Sequence, residues 1–194
     1  MPAVLFITHA EVIIDPVVAV PDWPLSARGR VRHAMFAGTA TVAGVTAVYC
    51  SAERKARDGA LILAGARGLP ATIIHDLHEN DRSATGFLPP AAFEAMADRF
   101  FAEPSTSVRG WERAVDAQAR IVGAIGAILA ADRSTGDIAV VAHGGVGALL
   151  WCHLNGLPIS RRHDQPGTGG GHWFAFDRTT GAPVHGWQAL EAAG

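Results

Sequence analysis

Apolar positions in this chain fall in short dense blocks, separated by longer stretches in which they recur with helical spacing. The blocks are Ala3-Val4-Leu5-Phe6-Ile7, Val45-Thr46-Ala47-Val48-Tyr49, Ala71-Thr72-Ile73-Ile74 and Ile138-Ala139-Val140-Val141-Ala142. Runs this short, rich in β-branched residues and without polar alternation, predict strands buried on both faces, as in parallel sheets. The stretches between them predict helices. One runs from Pro24-Leu25-Ser26 to about Thr41 with Ser26 as N-cap, and one starts in the Cys50–Arg57 segment. Others cover Pro89 to Phe101, Val108 to Asp132 and Val146 to Leu154. His172 to Asp177 reads as a further strand, and Pro183 to Trp187 as an edge strand. The alternation predicts a three-layer α/β/α fold around a mostly parallel central sheet with an antiparallel edge strand. No internal repeat or linker interrupts it, so residues 1–194 are expected to form a single domain, with 75–106 as a cap or insert region.

Two of the apolar blocks end in a histidine. Ile7 is followed by Thr8-His9-Ala10-Glu11, and Val141 by Ala142-His143-Gly144-Gly145. Ligands of open α/β sheets bind outside the carboxyl ends of the strands, so parallel neighbours would bring both imidazoles to one edge. Alone, either histidine reads equally well as a strand-end residue bonded to local backbone. Together they make a constellation. The two glycines after His143 allow a tight strand-to-helix turn, and the helix N-terminus that follows offers free N–H groups to an anion. Arg54, Lys55 and Arg57 follow the strand that ends at Tyr49, and read either as a solvated face or as phosphate ligands at the same mouth. Leu157 to Gly171, with its run of glycines, reads as a flexible loop or a mobile rim.

Composition narrows the picture. Nearly half of the 194 residues are apolar (49%), enough for a sizeable core. A formal net charge of -2 argues against general nucleic-acid binding, which needs a basic face. Cys50 and Cys152 have no metal-ligand spacing and read as reduced thiols of a cytoplasmic protein. His75, His78 and Glu79 match no common metal motif, so no metal and no cofactor is expected. The longest apolar run, Ile121 to Ala131, is too short to span a bilayer, and no membrane association is expected. Oligomeric state is left open, a homodimer included.

Five segments in order resemble the histidine phosphatase superfamily, whose fold is that of the phosphoglycerate mutases. Thr8-His9-Ala10-Glu11 stands where the family carries Arg-His-Gly-Glu, and Pro24-Leu25-Ser26-Ala27-Arg28-Gly29 is similar to its Pro-Leu-Thr-x-x-Gly. Ser51-Ala52-Glu53-Arg54-Lys55-Ala56 is similar to Ser-x-x-x-Arg-Ala, with Lys55 at the arginine. Leu77-His78-Glu79 is similar to Leu-x-Glu, and Ala142-His143-Gly144-Gly145 to Ser-His-Gly-Gly. The resemblance implies a phosphomonoester hydrolase acting on a small phosphorylated metabolite. His9 would be the phosphoryl-accepting nucleophile, His143 would stabilise the transferring group and Glu79 would protonate the leaving oxygen. Phosphoryl transfer rests on positioning and charge stabilisation, so a basic pocket is expected rather than a metal.

Thr8 replaces an arginine that would grip phosphate with two parallel bonds, and Lys55 keeps charge but loses the planar fork. Arg28, Arg54, Arg57 or Arg82 is expected to compensate, beside Gly144 at the helix start. The alternative is a catalytically weak or inactive phospholigand-binding or scaffold protein of the same fold. A phosphatase acting on phosphoproteins would need an open, shallow mouth. Thr8→Arg is expected to raise phosphate affinity, measured by phosphate titration.

Overall fold

In the computed structural model, which describes residues 1–194, the apolar blocks form the strands of one sheet. In chain order the elements are β1 (Ala3–Thr8), α1 (Ala27–Ala37), β2 (Val45–Cys50), α2 (Arg54–Arg67), β3 (Ala71–Ile73) and α3 (Pro90–Ala102). Then come α4 (Ala114–Ala131), β4 (Asp137–Ala142), α5 (Gly144–Leu154), β5 (His172–Asp177) and β6 (Pro183–Ala189). Across the sheet the order is β3-β2-β4-β1-β5-β6. The first four run parallel, and β5 and β6 add an antiparallel edge.

Side-chain alternation divides the strands between two helical layers. Leu5 and Ile7 of β1 pack with Phe36 of α1 and Ala60 and Leu63 of α2, while Val4 and Phe6 pack with Ile121 and Ile125 of α4 and Val146 and Leu150 of α5. Both faces are covered, which is why these strands carry no polar alternation. A third cluster, with Phe100, Phe101 and Trp111, joins α3 to Ala148 and Leu149 of α5, just beyond the carboxyl ends of the parallel strands.

Two helices differ from the sequence reading. The stretch expected as one helix from Val108 begins with a 3-10 turn, and α4 starts only at Ala114. Arg109 (φ 50) and Gly110 (φ 82) are left-handed there, which breaks the helical path and drops Trp111 into the core. α1 ends at Ala37, and a separate 3-10 turn covers Ala40–Val42. Its N-cap is as expected: Ser26 Oγ accepts from Gly29 N at 3.0 Å. By length and composition α4 would be long and apolar enough to cross a membrane, with 18 residues and a mean hydropathy of 1.4. In the fold its Ile121, Ile125 and Ile128 are buried under the sheet, and Arg120 on the same helix forms an ion pair with Glu112.

α5 lies unusually close to β1. A Cβ on Gly147 would stand 2.7 Å from the Phe6 ring and 2.8 Å from the Trp187 ring, so only glycine permits this approach. Gly147→Ala is therefore expected to cost about 1–3 kcal/mol through forced displacement of α5. A urea unfolding curve unchanged from the wild type would contradict it.

Candidate active site

β1 and β4 pair in register, Thr8 opposite Ala142, so the residues after them emerge together. The His9 and His143 rings stand 5.3 Å apart, edge to face. His9 is held from several sides. Its N–H donates to Ala142 O (3.0 Å), and its carbonyl accepts from Gly171 N (2.9 Å). The Ala10 N–H donates to His33 Nε2 (3.1 Å), and the Ala10 carbonyl receives His9 Nδ1 (2.9 Å). A carbonyl can only accept, so Nδ1 carries the hydrogen and Nε2 keeps its lone pair. Burial first, then the Lys55 charge, lowers the His9 pKa to about 4. The ring is neutral at pH 7, which a nucleophile requires.

His33 has no counterpart in the sequence reading. It sits buried on α1, and a Cβ on Gly59 would stand 2.6 Å from its Cε1, so Gly59 makes room for the ring. Burial first, then the neighbouring His9, lowers its pKa to about 3. It is a neutral acceptor for the peptide beside the candidate nucleophile.

His143 is fully buried. Its Nε2 is 2.8 Å from Ser51 Oγ, and its Nδ1 has no hydrogen-bond partner. Burial chiefly drives its pKa well below the usual value, against the pull of Glu53. The 3.5 Å contact between Nε2 and Glu53 Oε1 is therefore a contact to a neutral ring rather than an ion pair. Glu53, another residue the sequence reading passed over, forms an ion pair with Lys55 and accepts from Glu79 N (2.9 Å). Burial pushes the Glu53 carboxyl up, but the Lys55 ammonium and the bond from Glu79 N hold it below the usual range.

Glu79 arrives from the loop after β3. Its carboxylate accepts from Gly145 N (3.1 Å) and Val146 N (3.0 Å) at the start of α5. The helix N-terminus expected to hold an incoming anion thus already holds one of the protein's own. The two glycines after His143 leave room for the Glu79 and Gln165 side chains to close on the start of α5. A Cβ on Gly145 would stand 2.7 Å from Glu79 Oε1, and one on Gly144 would stand 2.2 Å from Gln165 Nε2.

Two cavities meet here. One, of about 290 Å³, is lined by His9, Gly144, Gln165 and the aromatic side chains of Phe93, Phe100 and Trp111. The other, of about 620 Å³, is lined by the Pro16–Pro21 loop, Glu53 and residues after β3. Glu79, Asn80 and Arg82 belong to both. Of the expected cations only Arg82 faces the His9 cavity. It lies over the Phe93 ring at 4.9 Å and has no carboxylate partner, whereas Arg161 in the same cavity is paired with Glu94 and Asp98. Lys55 is buried, with Nζ donating to Val20 O (2.9 Å) and bound to Glu53, and it lines neither cavity. Arg54 is exposed and also lines neither, because it leaves α2 on the solvent side. Arg28, 80% exposed, is drawn outward to Glu11.

Thr8 does not face solvent or cavity. It is fully buried, donates to Gln165 Oε1 (2.7 Å) and accepts from His172 N (3.0 Å). The amide of Gln165 covers the Thr8 hydroxyl and lines the His9 cavity. Nothing in the glycine-rich loop marked that residue as inward-facing. Asp164 beside it lines the same cavity, and burial raises its pKa to about 6. His75, His78 and Glu79 do not gather into a metal-binding cluster.

A family model described as histidine phosphatase superfamily (branch 1) matches residues 6–183. No curated protein matches the sequence. Among solved structures, a mycobacterial glucosyl-3-phosphoglycerate phosphatase in complex with inorganic phosphate is 21% identical, with a TM-score of 0.77 and 100% of each chain covered. YhfR of Bacillus stearothermophilus is 22% identical with a TM-score of 0.77, covering 96% of this chain and 95% of that one. The α-ribazole phosphatase of Shigella flexneri is 19% identical with a TM-score of 0.72, covering 99% and 98%. At these identities the likeness is one of fold.

The burial of Thr8 corrects the expected benefit of an arginine there. Thr8→Arg alone should lower stability by about 2 kcal/mol, since the side chain has no space. Combined with Gln165→Gly it should tighten phosphate binding, and equal phosphate affinity in the double variant and the wild type would contradict this. His33→Ala leaves a buried N–H without its acceptor and should cost about 1–3 kcal/mol. Nitrogen NMR of the His9 ring should also show a mixture of tautomers in that variant, with His33→Gln restoring the single form.

Proposed function

This chain belongs to the histidine phosphatase superfamily, and from that membership we propose that it hydrolyses phosphomonoesters through a phosphohistidine on His9. The observation that carries the proposal is the state of His9: neutral, with Nδ1–H tied to the Ala10 carbonyl and Nε2 left bare, beside a cavity that also holds Arg82. The substrate is a small phosphorylated metabolite. Nε2 attacks phosphorus, the ester P–O bond breaks, and the leaving oxygen takes a proton from Glu79. Water then attacks the phosphohistidine, the N–P bond breaks, and Glu79 recovers a proton. Arg82, which lines the His9 cavity, would face the charge that builds on the transferring group, and the His143 ring, 5.3 Å from that of His9, would support it from the buried side. Each role falls to a side chain of this protein, so the proposal is metal-independent.

A second reading, a phospholigand-binding protein without turnover, is favoured by one observation. Thr8 and Gln165 offer neutral groups where the family has a charged fork, and Lys55 is already matched by Glu53. Losing a preorganised charged donor costs about 100-fold or more in rate.

The two readings separate in an assay of aryl phosphate hydrolysis across pH. His9 takes a proton only near pH 4, below its ordinary 6.5, so it remains a nucleophile well into the acid range. The acid limb of kcat/KM is expected near pH 4, with His9→Ala losing about a thousandfold or more at every pH. An acid limb near 6.5 would contradict the state assigned to His9. Phosphate binding without turnover would favour the second reading.

A further inference from the structure

The larger cavity lies on the far side of Glu79, Asn80 and Arg82 from His9, and its lining does not include His9. In an in-line displacement the attacking and leaving atoms stand on opposite sides of phosphorus. With His9 on one side and the candidate proton donor Glu79 on the other, the leaving group points into this cavity. Its volume of about 620 Å³ suits a ring or a short branched chain.

The walls restrict what that group can be. The loop side chains that line it are Val17, Val18, Val20 and Pro21, faced by Phe87, which is packed against Trp23. Val17 is 93% exposed, an apolar group with nothing of the protein to cover it. Charge points the same way. Glu53 is matched by Lys55 and Glu79 by the N–H groups of Gly145 and Val146, which leaves Asp81 and the single guanidinium of Arg82. Arg82 also lines the His9 cavity, where the phosphoryl group draws on its charge. The Asp81 carboxyl is held below its ordinary range by its bond from Ser83 N, so it stays ionised. Asn80 Nδ2, buried and without an acceptor, can receive one oxygen of the ester. His78, the other titratable group on this wall, has its Nδ1 tied to the Glu79 carbonyl.

We infer that this site selects phosphate esters whose leaving group is apolar and carries no second negative charge. The inference rests on the phosphatase reading above. A substrate bearing a carboxylate or a second phosphate would meet Asp81 with no free cation to balance it.

The test uses phenyl phosphate and 4-carboxyphenyl phosphate, whose phenols are of similar acidity, so that charge is the main difference between them. Wild-type kcat/KM is expected to be at least about tenfold lower for the carboxylated ester, from like-charge repulsion across the cavity. Val18→Lys should close most of that gap by raising the carboxylated ester relative to phenyl phosphate. Butyl phosphate should be preferred to glycerol 1-phosphate, an alcohol of similar size. Equal or faster turnover of the carboxylated ester, or a Val18→Lys change that moves both esters alike, would overturn the inference. If neither ester is hydrolysed, the phosphatase reading fails by itself. Calorimetric binding of phenylphosphonate and 4-carboxyphenylphosphonate then decides the inference separately: tighter binding of the uncharged ring supports it, and equal binding overturns it.

Discussion

Everything at the candidate site depends on the parallel pairing of β1 with β4. The register that sets Thr8 opposite Ala142 delivers His9 and His143 to the same edge of the sheet. A slip of one residue would turn one of the two strand ends away. The register is fixed by burial on both faces: Leu5 and Ile7 on one side and Val4 and Phe6 on the other leave no polar face that could rotate outward. The core therefore sets the spacing of the imidazoles, and the loops only finish the job. Gly171 and α1, through His33, pin the short segment after β1 from outside the sheet.

The site uses few uncompensated charges. Lys55 is bound to Glu53, Arg161 to Glu94 and Asp98, and Glu79 to the N-terminus of α5. Arg82 alone among the cavity's cations is left without a carboxylate. On the phosphatase reading proposed above, a transferring phosphoryl group would meet one guanidinium, that of Arg82, and neutral groups such as the Gln165 amide. Neutral donors in a water-poor cavity are effective because their dipoles are already oriented. They also attract a highly charged ligand less strongly than an arginine pair would, which fits a leaving-group cavity poor in cations.

Much of this was legible in the chain itself. Dense apolar blocks ending in His9 and His143 required a parallel sheet with both rings at one edge, and Ser26 capped its helix as its type and position suggested. What escaped the sequence has physical reasons. Whether Lys55, Arg54 or Arg28 reaches the cavity depends on which carboxylate each meets, and Glu53 and Glu11 are brought to them by tertiary folding. The inward turn of Gln165 depends on a loop in which Gly167, Gly169, Gly170 and Gly171 all take positive φ, a path no local pattern predicts. The break before α4 was hidden because Arg109 adopts a left-handed conformation usually left to glycine. Gly59 showed as a small residue in a helix, and only the buried His33 ring explains it.

The central claim is that His9 Nε2 becomes phosphorylated. The direct measurement is rapid acid-free quenching of the protein with a radiolabelled aryl phosphate, followed by mapping of the label. The account predicts a phosphoprotein that is stable in alkali, labile in acid, and confined to the peptide carrying His9, with phosphorus NMR assigning the bond to Nε2. Turnover of the ester with no label on the protein at any quench time, or label on another residue, would contradict it.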